Sequence, residues 1–215
     1  MLSVNFADRQ GGLKILCLGA HCDDIEIGCG GTILRLAEEY EVKHLKWVVF
    51  TSSEDRANEA NRSADFFMKE CKEKEIIIKN FKDGFLPYQA EKVKNLFEEL
   101  KSFDPDIIFT HFRSDMHQDH RTICELTWNT FRNHQIFEYE IPKYDGDLGS
   151  PNFFVTLKKE VAERKVDIII KCFHSQAGKQ WFDRDTFFAL MRLRGIESAS
   201  HTKLAEGFYV RKSVI

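Results

Sequence analysis

Long apolar runs are missing from this 215-residue chain. No stretch approaches the roughly 20 residues that a membrane-spanning helix needs, so membrane insertion is not expected. Net charge is almost missing as well: 31 Lys and Arg stand against 34 Asp and Glu, a formal charge of −3. That balance does not call for nucleic acid or another polyanionic partner. Paired cysteine spacing is also absent. Six cysteines occur, but none as C-x-x-C, which argues against a thiolate zinc site or a redox motif. Cys17, Cys71, Cys124 and Cys172 fall within apolar or amphipathic stretches and read as free, buried thiols of a reducing compartment. The amino terminus lacks the charged, apolar, small-residue order of a signal peptide, so a cytoplasmic location is expected. Tyrosine is scarce, 5 residues against 19 Phe, yet a hydrophobic content of 43% suffices for a core, so disorder is not the default. Without repeats, low-complexity segments or a linker, the expectation is a single domain over residues 1–215.

What is present is an alternation of apolar runs and amphipathic stretches. Lys14 to Gly19 reads as a buried strand and Ile25 to Tyr40 as a helix with Ile33, Leu34, Leu36 and Ala37 at helical spacing. A strand at His44–Thr51, a loop and cap at Ser52–Asp55 leading into a helix through about Lys72, and a strand at Ile76–Ile78 follow. After a loop come a helix at Tyr88–Lys101, a strand at Asp106–His111 and a helix from about Asp119 to Arg132. The remainder predicts strands at Ile136–Ile141, from Val155 and at Ala205–Val210, with helices at Lys158–Phe173 and Asp183–Arg194. Four strand–helix alternations with short connections predict an α/β fold: a Rossmann-like three-layer sandwich with a mostly parallel sheet, plus a smaller C-terminal elaboration.

The chemistry-bearing residues fall where such strands end. The first strand runs into Ala20-His21-Cys22-Asp23-Asp24, then Gly28-Cys29-Gly30-Gly31 and a helix. Helix capping would account for one Asp and leave the other, and His21, without a role. The fourth strand runs into His111-Phe112-Arg113-Ser114-Asp115-Met116-His117-Gln118-Asp119-His120. First and fourth strands are commonly neighbours in doubly wound sheets, so both loops can share one crevice. Together they offer the nitrogen and oxygen donors of a catalytic zinc, three protein ligands with one position open; iron(II) also accepts two His and a carboxylate. The glycine run could instead cradle a pyrophosphate, but Ile33 stands where the third glycine of G-x-G-x-x-G belongs.

These two motifs resemble those of the PIG-L/LmbE family of zinc-dependent de-N-acetylases, whose usual signature is Ala-His-Pro-Asp-Asp followed later by His-x-x-His. Further points of resemblance are Gly28 to Thr32, Arg56-x-x-Glu59, Asp83-Gly84, the stretch at Pro151, His174-Ser175-Gln176 and Ala205-Glu206-Gly207-Phe208. The resemblance implies His21, Asp24 and His120 as zinc ligands and Asp23 as general base. It implies His117 as a charged or proton-donating partner, with Asp119 orienting it. Arg56 is a candidate to hold a substrate hydroxyl or phosphate, with a surface ion pair to Glu59 as the rival reading, and His174 is a candidate to line the pocket. Cys22 stands where the family has Pro, which frees φ and adds a backbone donor; its thiol is expected to point away from the metal. The implied activity is metal-dependent removal of an N-acetyl group from a small amino sugar or sugar-bearing metabolite. Homo-oligomerisation stays open. The alternatives are a nucleotide or nucleotide-sugar binding protein without catalysis, and metal-dependent phosphoester hydrolysis, which commonly uses paired metals.

Overall fold

The computed structural model describes residues 5–6 and 11–214. In chain order the elements are β1 (Leu13–Gly19), α1 (Asp24–Glu39), β2 (Val42–Thr51), α2 (Glu54–Phe67) and β3 (Glu73–Phe81). They continue with α3 (Ala90–Leu100), β4 (Ile107–His111), α4 (Gln118–Thr130), β5 (Gln135–Tyr139) and β6 (Phe153–Thr156). The last are α5 (Lys159–Cys172), α6 (Arg184–Glu197) and β7 (Ala205–Tyr209). All seven strands form one sheet in the order β3-β2-β1-β4-β5-β7-β6. The first five pair in parallel, and β7 joins antiparallel to both β5 and β6. This is the mostly parallel α/β fold that the alternation predicts. The C-terminal strands extend the same sheet.

Strand β1 shows why the sheet lies between two layers of helices. Ile15 and Cys17 enter one core with residues of α1, α2, α5 and α6, while Leu16 and Leu18 enter a second core with α3 and α4. Both faces of the strand are buried, so its sequence is a continuous apolar run and not an alternating one. Where boundaries differ from the periodicity, a specific contact is responsible. Helix α2 stops at Phe67, short of Lys72, because the Lys72 amide donates to the Val42 carbonyl (3.1 Å) and opens the β2–β3 pairing. The stretch from Tyr88 begins as a 3-10 turn at Leu86–Gln89 around Pro87. No helix among the described residues is long and apolar enough to cross a membrane.

Chain order places the site. From β1 the sheet grows outward through β2 and β3 on one side and through β4 and β5 on the other. The crevice opens where that direction reverses, beyond the carboxyl ends of β1 and β4, which is where open α/β sheets bind their ligands. Helix α1 starts at that crevice and passes close beneath it. A Cβ on Gly28 would lie 2.1 Å from the ring of Tyr139, whose hydroxyl donates to the Leu18 carbonyl (2.7 Å), so only glycine admits this contact.

Candidate metal centre

The turn after β1 is closed by its own carboxylate: the His21 amide donates to Asp24 Oδ2 (2.6 Å). The Ala20 amide donates across to His111 Nε2 at the end of β4 (2.9 Å), which stitches the two strand ends together. On the other loop, Asp115 Oδ1 accepts from the His117 amide (2.8 Å), and His117 Nδ1 accepts from the Asp119 amide (3.2 Å), so His117 caps α4. One turn of α4 then carries His120 inward.

Donor atoms of three residues converge. His21 Nδ1 lies 3.1 Å from His120 Nε2 and 3.3 Å from Asp24 Oδ2, and His120 Nε2 lies 3.6 Å from Asp24 Oδ1. Ligands about 2.0–2.1 Å from a tetrahedral ion are separated by roughly 3.3 Å, so these separations, with one Asp24 oxygen toward each imidazole, are of the size a zinc site needs. The remaining ring nitrogens are held by carboxylates. His120 Nδ1 is 2.9 Å from Asp115 Oδ2, and His21 Nε2 is 3.0 Å from Asp83 Oδ1 and 3.6 Å from Asp119 Oδ2. Each carboxylate takes the N–H of its imidazole and leaves the inward nitrogen as a lone-pair donor. Lys143 anchors Asp115 in turn, at 2.9 Å from Oδ2.

The electrostatics suit a cation. Asp23, Asp24, Asp83, Asp115 and Asp119 surround the imidazoles, against Arg56 and Lys143. Burial opposes ionisation of Asp24, but His120, His111 and His21 outweigh it and hold the carboxyl well below its usual range. Burial, with His111 adding to it, lowers His120 to about 4, so this ring is the neutral imidazole a metal requires. Burial works against a proton on His21 as well, yet Asp24, Asp119 and Asp83 together raise it. The carboxylates that favour a proton here would favour a bound cation in the same way. Among the described residues three groupings of donor atoms lie close together: His21, His117 and His120; Asp24, His111 and His120; and His21, Asp83 and Asp119. His111 Nε2 is already occupied by the Ala20 amide, and it stacks on His120 with ring centroids 3.9 Å apart.

The remaining expected residues divide. Asp23 is buried, and its Oδ1 accepts from Arg56 Nη2 (2.7 Å). Burial raises its pKa, with Arg56 opposing. His117 stands beside His21, its ring centroid 4.7 Å away, and burial lowers its pKa, with His21 adding to the effect. Its Nδ1 accepts the Asp119 amide, so the neutral ring carries its proton on Nε2. The Asp119 carboxylate differs from expectation: it accepts from the amides of Gly84 (2.7 Å) and Leu86 (3.0 Å) and faces His21, leaving His117 to its backbone N–H. Arg56 is committed to Asp23 instead of pairing with Glu59, whose carboxylate binds the amide and hydroxyl of Ser175. His174 is exposed at the start of that short turn, and among the described contacts none joins it to the His and Asp cluster. The Cys22 thiol faces the Thr51 carbonyl (3.5 Å), away from the cluster, and burial pushes its pKa up to about 12. Lys143 and Tyr139 carry no local signal of a role. Asp115 sits in a visible motif, but its partner Lys143 comes from a loop 28 residues on.

Asp115→Asn is expected to weaken metal affinity by about 10–100-fold, as for other carboxylates behind a metal-binding His. Competition with a chelator reads the change directly. An unchanged affinity would mean that Asp115 does not select the His120 tautomer.

With this geometry in place, comparison with known proteins decides the family. The family model described as GlcNAc-PI de-N-acetylase, PIG-L, matches residues 16–131. The chain belongs to the PIG-L family. An uncharacterised deacetylase of Escherichia coli K12, YaiS, is 29% identical over 156 residues, 68% of this chain and 83% of that one. The N,N'-diacetylchitobiose deacetylase of Pyrococcus horikoshii superposes with a TM-score of 0.72 at 23% identity, covering 94% of this chain and 85% of that one. GalB of Pseudomonas putida KT2440, a 4-carboxy-2-hydroxymuconate hydratase, superposes with a TM-score of 0.75 at 16% identity, covering 94% and 98%. These last two likenesses are of fold, and the same scaffold carries a deacetylase and a hydratase. PIG-L membership places the chain in a deacetylase family; the reaction of this chain has to be argued from its site.

Proposed function

We propose that this chain is a metal-dependent amide hydrolase that removes an N-acetyl group from a small amino sugar or sugar-bearing metabolite. The observation that carries the reading is the triangle of His21 Nδ1, His120 Nε2 and the Asp24 carboxylate at 3.1–3.6 Å, with the Asp23 carboxylate in the adjoining position. Those three residues would hold the ion, zinc by family resemblance, with iron(II) acceptable to the same donors. When bound, such an ion acidifies water and polarises a carbonyl oxygen.

The chain's own residues supply the rest. Asp23 accepts the proton of the attacking water as its oxygen adds to the acetyl carbon. Arg56, 2.7 Å from Asp23 Oδ1, fixes that carboxylate and opposes the rise in pKa that burial causes. Negative charge then develops on the former carbonyl oxygen, and His117 Nε2–H is the side-chain donor available to it. As the C–N bond breaks, the proton held by Asp23 passes to the departing nitrogen. Acetate and a free amine leave. Burial of Asp23, Asp24, Asp119 and His120 keeps these charges out of bulk water, where each interaction would be weaker.

Metal analysis of protein purified without chelators, together with acetate release, tests the reading. About one zinc or iron per chain is expected, with acetate released from at least one of N-acetylglucosamine, N,N'-diacetylchitobiose or a nucleotide-linked N-acetylglucosamine. Folded protein that takes up no metal from excess zinc would overturn it. Metal uptake with phosphate released from sugar phosphates, and no acetate, would replace it with phosphoester hydrolysis.

A further inference from the structure

Helix α1 carries Asp24 in its first turn and three glycines in its middle, Gly28, Gly30 and Gly31. Each glycine costs a helix about 1 kcal/mol relative to alanine, and here each is demanded by close packing. A Cβ on Gly30 would meet Phe67 at 2.7 Å, and one on Gly31 would meet Leu157 at 2.6 Å. The segment behind the candidate base and ligand is therefore the intrinsically weakest part of its helix.

A buried ion pair grips that weak point. Lys165 of α5 donates to the Ile27 carbonyl (2.7 Å) and to Glu206 Oε1 (2.6 Å). Glu206 of β7 accepts from the Gly31 amide (2.8 Å), the Thr32 amide (2.7 Å) and the Thr32 hydroxyl (2.6 Å). The Ile27 carbonyl and the Gly31 amide are the two ends of a single i→i+4 rung, so the pair bridges that rung. Side chains inserted into the helical ladder in this way set a bend or an aim. The path from the pair to the site is one residue long, because the Ile27 amide donates to the Asp23 carbonyl (3.1 Å).

We propose that Lys165 and Glu206 are positioning residues. Acting through the Ile27 peptide, they aim the first turn of α1, so that Asp23 and Asp24 face His21 and His120. Neither touches the cluster. Both side chains are only 3% exposed. A buried ion pair is poor value as a stabiliser, since well-packed apolar residues often serve as well or better. What apolar residues cannot supply is direction: one cation for a single carbonyl and one carboxylate for two adjacent amides. This inference rests on the metal-site reading of His21, Asp24 and His120.

The test compares wild type with Lys165→Met/Glu206→Gln, which removes both charges and keeps volume, and with Thr32→Val, which removes only the hydroxyl. The readouts are zinc affinity by chelator competition, the visible spectrum of the cobalt(II)-loaded protein, and kcat and KM for acetate release. For the double variant, about tenfold weaker zinc binding is expected, with an altered cobalt spectrum, kcat reduced about tenfold and KM within about twofold. Thr32→Val is expected to shift the cobalt spectrum in the same direction and to lower kcat by about threefold, a partial loss of the same aim. A folded double variant with wild-type zinc affinity, spectrum and kcat would overturn the proposal and leave the pair as packing. Should the double variant fail to melt cooperatively, Thr32→Val decides alone, and an unchanged spectrum and kcat there overturns it. Wild-type metal uptake reports on the site itself, and the ratio of variant to wild type reports on the positioning.

Discussion

Asp23→Asn is expected to lower kcat for acetate release by about 10²–10⁴-fold while leaving metal content unchanged. The asparagine keeps the shape of the side chain and an oxygen for Arg56 Nη2, now 2.7 Å from Asp23 Oδ1, but its amide cannot take a proton from water. Asp23 lies outside the triangle of His21, Asp24 and His120, so its substitution removes no donor atom. The two readouts separate the roles. Loss of metal together with activity would make Asp23 a ligand, and full activity with metal retained would remove it as the base. Asp23→Asn is also expected to leave KM little changed, because the proton moves only once the transition state is approached.

His120→Ala is expected to abolish both stable metal binding and detectable turnover. It deletes one corner of the triangle, and the Asp115 carboxylate behind it would be left with Lys143 and the His117 amide. Two donors from His21 and Asp24 cannot enclose an ion as three do. Elemental analysis after dialysis against a weak chelator is the measurement, with a cooperative melt as the control for folding. His117→Ala supplies the contrast. It is expected to keep the metal and lose kcat, since its Nδ1 is engaged by the Asp119 amide and its Nε2–H is the donor for the developing oxyanion. The opposite pair of results, metal lost in His117→Ala and kept in His120→Ala, would move the site to a different set of imidazoles.

Much of this site follows from short motifs because strand ends and helix starts are local events. His21, Asp23 and Asp24 sit on one tight turn, and His117 and His120 are three residues apart at a helix start, where a ring can cap and its neighbour can turn inward. Contacts between distant segments left no such trace. That Arg56 binds Asp23 and not Glu59 depends on how α2 docks beside α1, and Glu59 instead holds the turn at Ser175, 116 residues away. Asp119 turns to the amides of Gly84 and Leu86 because the loop before α3 brings unpaired backbone donors to it, a stronger demand than the His117 ring beside it.

The strand–helix alternation, the burial of β1 on both faces and the two chemistry-bearing loops follow from residue order. Each depends on periodicity or on neighbours within a turn or two. Tertiary structure alone decided which imidazole nitrogen faces inward, because that rests on Asp83 reaching His21 and Asp115 reaching His120. It alone decided that Lys165 and Glu206, 41 residues apart, meet across the glycines of α1. Hydrogen-bond direction between remote segments is set by how helices and strands pack, and packing is a property of the assembled sheet, not of any stretch of chain.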